Sequence, residues 1–268
     1  MKLNTDIVII GSGASGGVLA ATLAEKTDKK IILLEKGGYY EGSSIEQEEL
    51  KVRHLFAERG TRGTKDGSMP VRGGQCVGGG TTVNVALCFD PIESVWNKWK
   101  SEYGLSQYSF NSTANDYNIS GLNMPNALED IRKRINIHKP PDDMVNDNNR
   151  LFSEGCKSEG VSFKKFELNI KNCLECGFCA MGCQYDRKMG TMITYIADAI
   201  KNGVEVIHNF DVEKIKFSGK NQNKKASYIQ GNIIKAHKRS LPNKYQDGPV
   251  TISAGLIIVA AGAVESPS

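Results

Sequence analysis

The sequence predicts a three-layer α/β fold of the dinucleotide-binding type, with an antiparallel β-meander inserted before the last parallel strand. Three patterns lead to this prediction. Apolar runs at 6–10 and 31–34 flank a glycine-rich turn and a helix, which is the order of a βαβ unit. From residue 204 onward, apolar and polar residues alternate with a period of two, as they do in antiparallel strands. The apolar run at 256–261 has the length of one more buried strand.

The βαβ unit occupies the start of the chain. The run at 6–10 is rich in β-branched residues, which favour a strand buried on both faces. Glycines within 11–17 permit a tight turn, and small residues within 18–26 allow the following helix to pack closely. The second strand, at 31–34, ends at Glu35. This arrangement predicts two neighbouring parallel strands connected by a helix.

The middle of the chain is less regular. Residues 37–72 are polar, and we predict a single helix within them at 45–59. A second glycine tract follows at 73–80, and 104–150 is rich in Asn, Ser, Asp and Pro, as loops are. The further helices predicted here lie at 95–103, 128–135, 151–160 and 191–202.

The last part of the chain predicts strands. Segments at 204–208, 212–217 and 231–237 alternate in polarity and are separated by turn residues, so we expect them to pair as a small antiparallel meander. The run at 256–261 is expected to return to the parallel sheet, where Gly262 ends it.

Composition and charge exclude several classes of protein. The 268 residues include 34 basic and 30 acidic ones, a net charge of +4 that is too small and scattered to indicate nucleic-acid binding. No apolar run approaches the roughly 20 residues that a membrane-spanning helix needs. The N-terminus lacks the features of an export signal, so we expect a cytoplasmic protein.

The first glycine turn carries the chemistry of dinucleotide binding. Gly11 permits the turn, Gly13 lets a pyrophosphate approach the backbone, and Gly16 lets the helix pack on the strand. The helix N-terminus then offers N–H groups to the phosphates. Glu35 can accept hydrogen bonds from the adenosine ribose, and its charge disfavours the 2′-phosphate of NADP. The alternative is a tight turn that binds no ligand.

The second glycine tract favours FAD over NAD. Nicotinamide-binding domains usually continue with alternating strands and helices, whereas this chain returns after a polar stretch with Gly78-Gly-Gly-Thr-Thr-Val-Asn84. Consecutive glycines expose N–H groups that no side chain covers, which suits close approach to a flat, hydrogen-bonding ring. Asn84 offers both a donor and an acceptor.

The glycine segments and their spacing resemble those of the glucose-methanol-choline (GMC) flavin oxidoreductases. The motif GSGASGG at 11–17, the segment at 72–84 and the segment at 262–267 resemble that family's FAD turn and its first and second hallmark sequences. The cysteine-rich segment that leads into Gly190 and Thr191 is similar to the long-chain alcohol oxidase branch, as is the segment at 88–91. The resemblance covers nearly the whole chain.

The resemblance implies FAD as the cofactor and an alcohol as the hydride donor. It places residues 78–87 against the flavin and the strand at 211–213 beside the adenine. The expected cofactor-binding residues are Gly11, Ser12, Gly13, Ala14, Ser15, Gly16, Glu35, Lys36, Val77, Gly78, Gly79, Gly80, Thr81, Thr82, Asn84, Val85, Ala86, Val212, Ala261 and Gly262.

The resemblance also implies that this chain is incomplete relative to the family. Family members are much longer, and their catalytic His lies near the C-terminus. The histidines of this chain, His54, His138, His208 and His237, do not occupy that position, so we expect no catalytic residue within it. We expect residues 1–268 to be the FAD-binding part, with a cap or insert at about 104–190 and without the C-terminal substrate domain. The chain is then either a truncated product or is completed by a separate C-terminal polypeptide.

Four of the seven cysteines lie within eleven residues. The spacing of Cys173, Cys176, Cys179 and Cys183 is C-x2-C-x2-C-x3-C, which equals the bacterial ferredoxin run and predicts a [4Fe-4S] cluster. Gln184 follows where ferredoxins have Pro. Zinc, a disulfide and free thiols packed in a loop are the alternatives.

Three functions therefore remain open on the sequence alone. The first is the N-terminal half of a GMC-type alcohol oxidase or dehydrogenase. The second is an electron-transfer subunit in which the cysteines hold an iron–sulfur cluster beside a flavin. The third is a non-catalytic nucleotide-binding remnant of a truncated gene.

Overall fold

A computed structural model describes residues 1–90, 92–103, 124–219 and 225–267. The strands in these residues are β1 (Lys2–Ile10), β2 (Ile31–Leu34), β3 (Leu87–Cys88), β4 (Ile137–His138), β5 (Glu167–Asn169), β6 (Glu205–Ile207), β7 (Phe210–Ser218), β8 (Lys225–Ile233) and β9 (Gly248–Val259). The α-helices are α1 (Ala14–Lys26), α2 (Gly80–Val83), α3 (Glu93–Glu102), α4 (Met124–Arg134), α5 (Asp147–Ser158), α6 (Ala197–Lys201) and α7 (Gly262–Glu265). A π-helical turn, Met192–Ile196, precedes α6.

The chain divides into two compact units. The first comprises Met1–Val85 and Cys176–Ser268, and the second comprises Ala86–Glu175. The second unit overlaps the region at 104–190 that the sequence assigns to a cap or insert. Residues 104–123 of that region, within the predicted loop, lie outside the described residues.

The first unit is built on a mixed sheet. In the described residues its strand order is β6-β2-β1-β9-β8-β7. β1 runs parallel to β2 and β9, and β6 runs parallel to β2. The apolar runs of β1 and β2 are buried because alternate residues enter two apolar clusters: Ile9 packs with Ala20 of α1, and Val8 packs with Phe210 of β7. This confirms the α/β class and the βαβ unit.

β9 belongs to both halves of the sheet. Its residues from Thr251 to Val259 pair with β1 in parallel, and its residues from Gly248 to Ser253 also pair with β8 in the antiparallel sense. β8 in turn pairs antiparallel with β7. The antiparallel pairing predicted for the second and third strands is therefore confirmed, but β8 shares only residues 231–233 with the segment predicted at 231–237. The last parallel strand, predicted at 256–261, begins earlier, at Gly248, where it pairs with β8.

One strand of the predicted meander was misplaced. The segment at 204–208 contains β6, which joins the parallel sheet beside β2 instead of pairing with β7. Three residues of alternating polarity cannot distinguish a parallel edge strand from an antiparallel one, because both present one face to the core. The alternation at 204–208 indicated a strand but not its partner.

The single helix predicted at 45–59 is wrong. The structure has separate 3₁₀ turns there: Glu49–Lys51, Arg53–Leu55 and Ala57–Gly60. The cause is that backbone groups of this stretch bond outside it, to the second glycine tract. The N–H of Ala57 donates to the carbonyl of Gly73 at 2.9 Å, and the N–H of Gln75 donates to the carbonyl of Leu55 at 2.8 Å.

The second unit has a small antiparallel sheet of order β3-β5-β4 in its described residues. Its helices α3, α4 and α5 confirm the helices predicted at 95–103, 128–135 and 151–160, with ends displaced by up to four residues. No helix in the described part of the chain combines the length and the apolar character needed to cross a membrane.

Candidate functional site

The turn between β1 and α1 requires two of its glycines for packing and leaves space at a third. Gly11 has a φ of +98°, and a Cβ there would lie 2.4 Å from the carbonyl oxygen of Ala260. A Cβ on Gly16 would lie 1.8 Å from the carbonyl oxygen of Gly11. A Cβ on Gly13 would meet nothing within 4 Å. Gly11 and Gly16 are therefore needed by the fold, and the open side of Gly13 faces space that a ligand can use.

The N-terminus of α1 is open to a ligand. No side chain caps the helix at Gly13, and the first-turn residues Ala14 and Ser15 are exposed. The first N–H groups of a helix have no partner within it and carry its positive end. This end of α1 can therefore receive an anionic group such as a pyrophosphate.

Glu35 lies at the end of β2 and is bonded to the turn. Its Oε2 accepts from the hydroxyl of Ser12 at 2.6 Å and from the N–H of Ser12 at 3.1 Å, and its Oε1 accepts from the N–H of Gly37 at 2.9 Å. Burial raises the pKa of Glu35, and these hydrogen bonds oppose the rise. The backbone of Lys36 is a further hydrogen-bond donor to this carboxylate, so a ribose hydroxyl would share one of its oxygens with a protein donor.

Ser12 joins the two glycine segments. Its hydroxyl donates to Glu35 and accepts from the N–H of Gly78 at 3.1 Å. A Cβ on Gly79 would lie 2.8 Å from the Cα of Gly13, so only glycine allows the two backbones to come this close. The sequence predicted that both segments bind one ligand, and the structure brings them side by side.

Threonine hydroxyls fix the shape of the second segment. Thr82 donates to the carbonyl of Val77 at 3.0 Å, and Thr81 donates to the carbonyl of Gly78 at 2.6 Å. Thr81 also accepts from the N–H of Thr191 at 3.0 Å. Both hydroxyls are used in hydrogen bonds within the protein. A ligand at this segment can instead contact the backbone of Gly80, which is exposed.

Lys188 is a site residue that the sequence analysis missed. It is 5% exposed, and its Nζ donates to the carbonyl oxygens of Thr82 at 2.8 Å, Asn84 at 2.7 Å and Cys179 at 2.7 Å. Burial lowers the pKa of Lys188 to about 8. A lysine between Arg187 and Met189 carries no signal of burial, since lysines are mostly exposed.

The ends of two further strands lie beside the first turn. Ala261 follows β9, and its Cα lies 2.8 Å from the position that a Cβ on Gly11 would take. Gly262 has a φ of +90° and begins α7. At β7, Phe210 donates its N–H to the carbonyl of Glu35 at 2.8 Å. Sheet ends that carry Glu35, Gly11 and Ala261 therefore converge, as a cofactor spanning them would require.

The remaining expected contacts lie farther along these segments. Lys36 forms an ion pair with Asp211 at 3.1 Å, next to Val212 on β7. Asn84 and Val85 are exposed after α2. Ala86 is buried in the second unit with a φ of +64°. The structure places Lys36 and Val212 near the end of β2, and leaves the role of Ala86 as a prediction.

The cysteine cluster is not arranged as a metal site in the described residues. No group of three or more His, Cys, Asp or Glu side chains among them could hold a metal ion. None of the four cysteines of the run forms a disulfide in the structure; Cys176 is exposed, and Cys173, Cys179 and Cys183 are half-buried. The described residues therefore do not fit an iron–sulfur cluster, and we derive no step through one.

The site does fit the ADP part and the ring of FAD. The open side of Gly13 at the start of α1 suits a pyrophosphate, and the buried Glu35 suits a ribose. The exposed backbone of Gly80 suits a flat ring, because even a Cβ there would meet no protein atom within 4 Å, whereas Gly79 is buried against Gly13.

Comparison with protein families gives one family match. The family described as GMC oxidoreductase matches residues 52–268. The match includes the second glycine segment, the cysteine run and Lys188.

Curated relatives are similar over most of this chain. A long-chain-alcohol oxidase of Arabidopsis thaliana is 27% identical over 259 residues, which cover 95% of this chain and 33% of that protein. A second Arabidopsis long-chain-alcohol oxidase is 29% identical over 205 residues, covering 75% and 26%. A GMC-type oxidoreductase of Mycobacterium tuberculosis is 27% identical over 270 residues, covering 98% and 38%. The chain thus spans about a third of the length of these relatives.

Solved structures share the fold. The formate oxidase of Aspergillus oryzae RIB40, in a variant studied for FAD modification, superposes with a TM-score of 0.64 at 13% identity, covering 99% of this chain and 47% of that one. A pyridoxine 4-oxidase from Mesorbium loti superposes with a TM-score of 0.56 at 18% identity, covering 98% and 50%.

Proposed function

Because this chain belongs to the GMC oxidoreductase family, we propose that residues 1–268 form the FAD-binding part of an enzyme that oxidises the CH–OH group of an alcohol. The observation that carries the proposal is the meeting of the two glycine segments at Ser12, whose hydroxyl joins Glu35 to Gly78. FAD consists of a flat ring linked to ADP. Its site therefore needs a hydrogen-bond acceptor for the ribose on one side and backbone without side chains for the ring on the other.

Each part of the site has a role in this proposal. The N-terminus of α1 binds the pyrophosphate, and Glu35 accepts hydrogen bonds from the ribose. The segment from Val77 to Ala86 and the sheet end at Ala261 orient the ring, and Val212 lies beside the adenine. Ser12 contributes by holding the ribose acceptor and the ring-binding segment at a fixed separation.

The reaction needs more than these residues. Bound FAD supplies the redox chemistry, which is the acceptance of a hydride from the alcohol carbon. We assign no catalytic base to residues 1–268 and propose that the group that takes the hydroxyl proton lies in polypeptide outside this chain. Long-chain aliphatic alcohols are the first substrates to test, because the Arabidopsis relatives are long-chain-alcohol oxidases.

One edge of β9 has no partner strand in the described residues. β8 pairs with β9 only as far as Ser253, so in the described part of the chain no strand pairs with that edge of residues 254–259. Leu256 and Val259 on this stretch are 50% and 45% exposed. We propose that a further strand, from a longer form of this protein or from a separate C-terminal polypeptide, pairs with this edge.

FAD binding tests the proposed function directly. The protein, stripped of bound cofactor, is titrated with FAD, and quenching of flavin fluorescence gives the Kd. We expect saturable binding that Gly13→Ala weakens by about tenfold or more, because the added methyl group takes space that the pyrophosphate needs. The same change should leave the unfolding midpoint nearly unaltered, since a Cβ there meets no protein atom within 4 Å.

Gly155→Ala on α5 is the matched control, because its Cβ also meets nothing within 4 Å and it lies in the second unit. This variant should bind FAD as the unaltered protein does. Equal FAD affinity in Gly13→Ala would contradict the pyrophosphate site, and absence of binding in the unaltered protein would contradict FAD as the cofactor.

A further inference from the structure

Lys188 uses all of its hydrogen-bonding capacity on backbone carbonyls. An ammonium has three N–H donors, and the structure gives each of them an acceptor: Thr82, Asn84 and Cys179. Two of these acceptors belong to one short stretch at the end of α2, and the third belongs to the cysteine-rich segment. Lys188 therefore ties the end of the second glycine segment to a separate part of the first unit.

Two of the carbonyls that Lys188 binds lie at the end of a short helix. α2 is a four-residue helix, Gly80–Val83, and Asn84 is the residue at which it ends. Lysine side chains near the C-terminus of a helix can donate to its last carbonyls, and Lys188 does so at Thr82 and Asn84.

The position of Lys188 complements that of Ser12. Ser12 fixes the beginning of the ring-binding segment through the N–H of Gly78, and Lys188 fixes its end through Thr82 and Asn84. Between these two points lie Gly79 and Gly80, whose backbones are the most freely rotating in the segment. Fixing both ends limits the conformations that the glycines can adopt.

The energetic cost of burying a charge argues against a merely space-filling role for Lys188. Desolvation of an ammonium is unfavourable, and it lowers the pKa of Lys188 to about 8. Among the described residues no ion pair of Lys188 with a carboxylate is found; its three carbonyl acceptors offset part of this cost, and Cys179, Cys183 and Cys76 oppose the fall in its pKa. A methionine would fill the same volume without the cost of desolvating a charge.

We propose that Lys188 is a positioning residue for the flavin, which holds residues 78–84 in the conformation that receives the isoalloxazine ring. This inference rests on the proposed function. Lys188 acts through the backbone that it binds and does not itself contact the cofactor.

Replacement of Lys188 by methionine tests the inference. Lys188→Met keeps the length of the side chain and removes its donors, so we expect the Kd for FAD to rise by about tenfold, the equivalent of losing one or two net hydrogen bonds. We also expect the visible absorption band of bound FAD to move toward that of free FAD, because the ring environment is no longer fixed. Lys201→Met, at the exposed end of α6, is the control and should change neither quantity.

Two readouts separate positioning from general stability. If Lys188→Met binds FAD as tightly as the unaltered protein, or binds it more weakly with an unchanged absorption band, the inference is overturned. If Lys188→Met does not fold, Lys188→Gln, which is neutral but keeps an amide donor, is judged by the same two measurements. If the unaltered protein binds no FAD, the proposed function fails and this inference with it; if it does bind FAD, a negative result concerns Lys188 alone.

Discussion

At the scale of single residues, the glycines of the first turn differ in what an added methyl group would meet. Gly13 leaves space for a ligand, whereas Gly16 is packed against the carbonyl oxygen of Gly11. Both glycines belong to one sequence motif. In the structure, however, Gly13 leaves space for a ligand and Gly16 allows close packing, which are separate requirements. A change at Gly13 should affect binding, and a change at Gly16 should affect folding.

Gly16→Ala is expected to destabilise the first unit by more than about 3 kcal/mol, because its Cβ would lie 1.8 Å from a backbone oxygen that cannot move without displacing β1. Urea unfolding followed by circular dichroism measures this. Gly155→Ala, with open space around its Cβ, should instead be neutral or stabilising by about 0.5–1 kcal/mol, as alanine is in a helix. Equal unfolding midpoints for the two variants would contradict the packing role of Gly16.

The sequence predicted that the glycines and Glu35 belong to the site. It did not predict the hydrogen bonds that join the residues of the site. The spacing of the turn and the acidic residue after β2 follow from local chain geometry, which a sequence pattern records. The bonds from Ser12 to Gly78 and from Lys188 to Thr82 join residues far apart in the chain. Such contacts depend on how the elements pack, so no spacing rule reveals them.

At the scale of elements, a pair of stacked histidines links two segments outside the sheet. His54 lies in the turn Arg53–Leu55, and His237 follows β8. Their ring centroids are 4.0 Å apart with planes inclined by 11°, and the ring of Tyr40 lies 4.6 Å from that of His54. Burial, His237 and Arg239 lower the pKa of His54 to about 4.

This stack predicts a loss of stability in acid. Between pH 6.5 and about 4 the unfolded chain binds a proton at His54 that the folded protein does not, so the free energy of unfolding should fall as the pH falls through this window. One such proton changes the folding equilibrium by at most about tenfold per pH unit. His54→Phe should flatten the pH dependence measured by urea unfolding, and His138→Gln in β4 should not. An equally steep dependence in His54→Phe would show that other groups cause the acid sensitivity.

Helices and strands were predictable from the sequence where local residue preferences and apolar periodicity determine them. β2 and the helices of the second unit follow from apolar periodicity and length. The stretch at 45–59 has helix-compatible residues, but Leu55 and Ala57 bond to the glycine tract, and this tertiary contact overrides local preference. The cysteine run shows that a local pattern can also mislead. Its spacing is typical of ferredoxins, but the described residues contain no group of side chains that could hold a metal ion.

At the scale of the whole molecule, the edge of β9 at 254–259, where no strand of the described residues pairs, predicts self-association. A sheet edge with exposed apolar residues is a template for another strand. Leu256→Lys with Val259→Lys places one charge on each face of the sheet beside this edge, because residues three apart in a strand point to opposite faces, and should raise the monomeric fraction in sedimentation analysis. Leu50→Lys removes a more exposed apolar side chain, 81% exposed in a turn, and should have no such effect. Association that persists in the double variant would place the contact elsewhere.

The position of β9 between β1 and β8 also sets an order of events during synthesis. β1 is translated well before β9, yet residues 251–259 of β9 form one of its two neighbours in the sheet. At roughly 5–20 residues per second, β1 must wait on the order of ten seconds or more for that partner. During this interval its apolar side chains are open to chaperones and to other nascent chains, so the yield of native protein depends on how quickly β9 is synthesised.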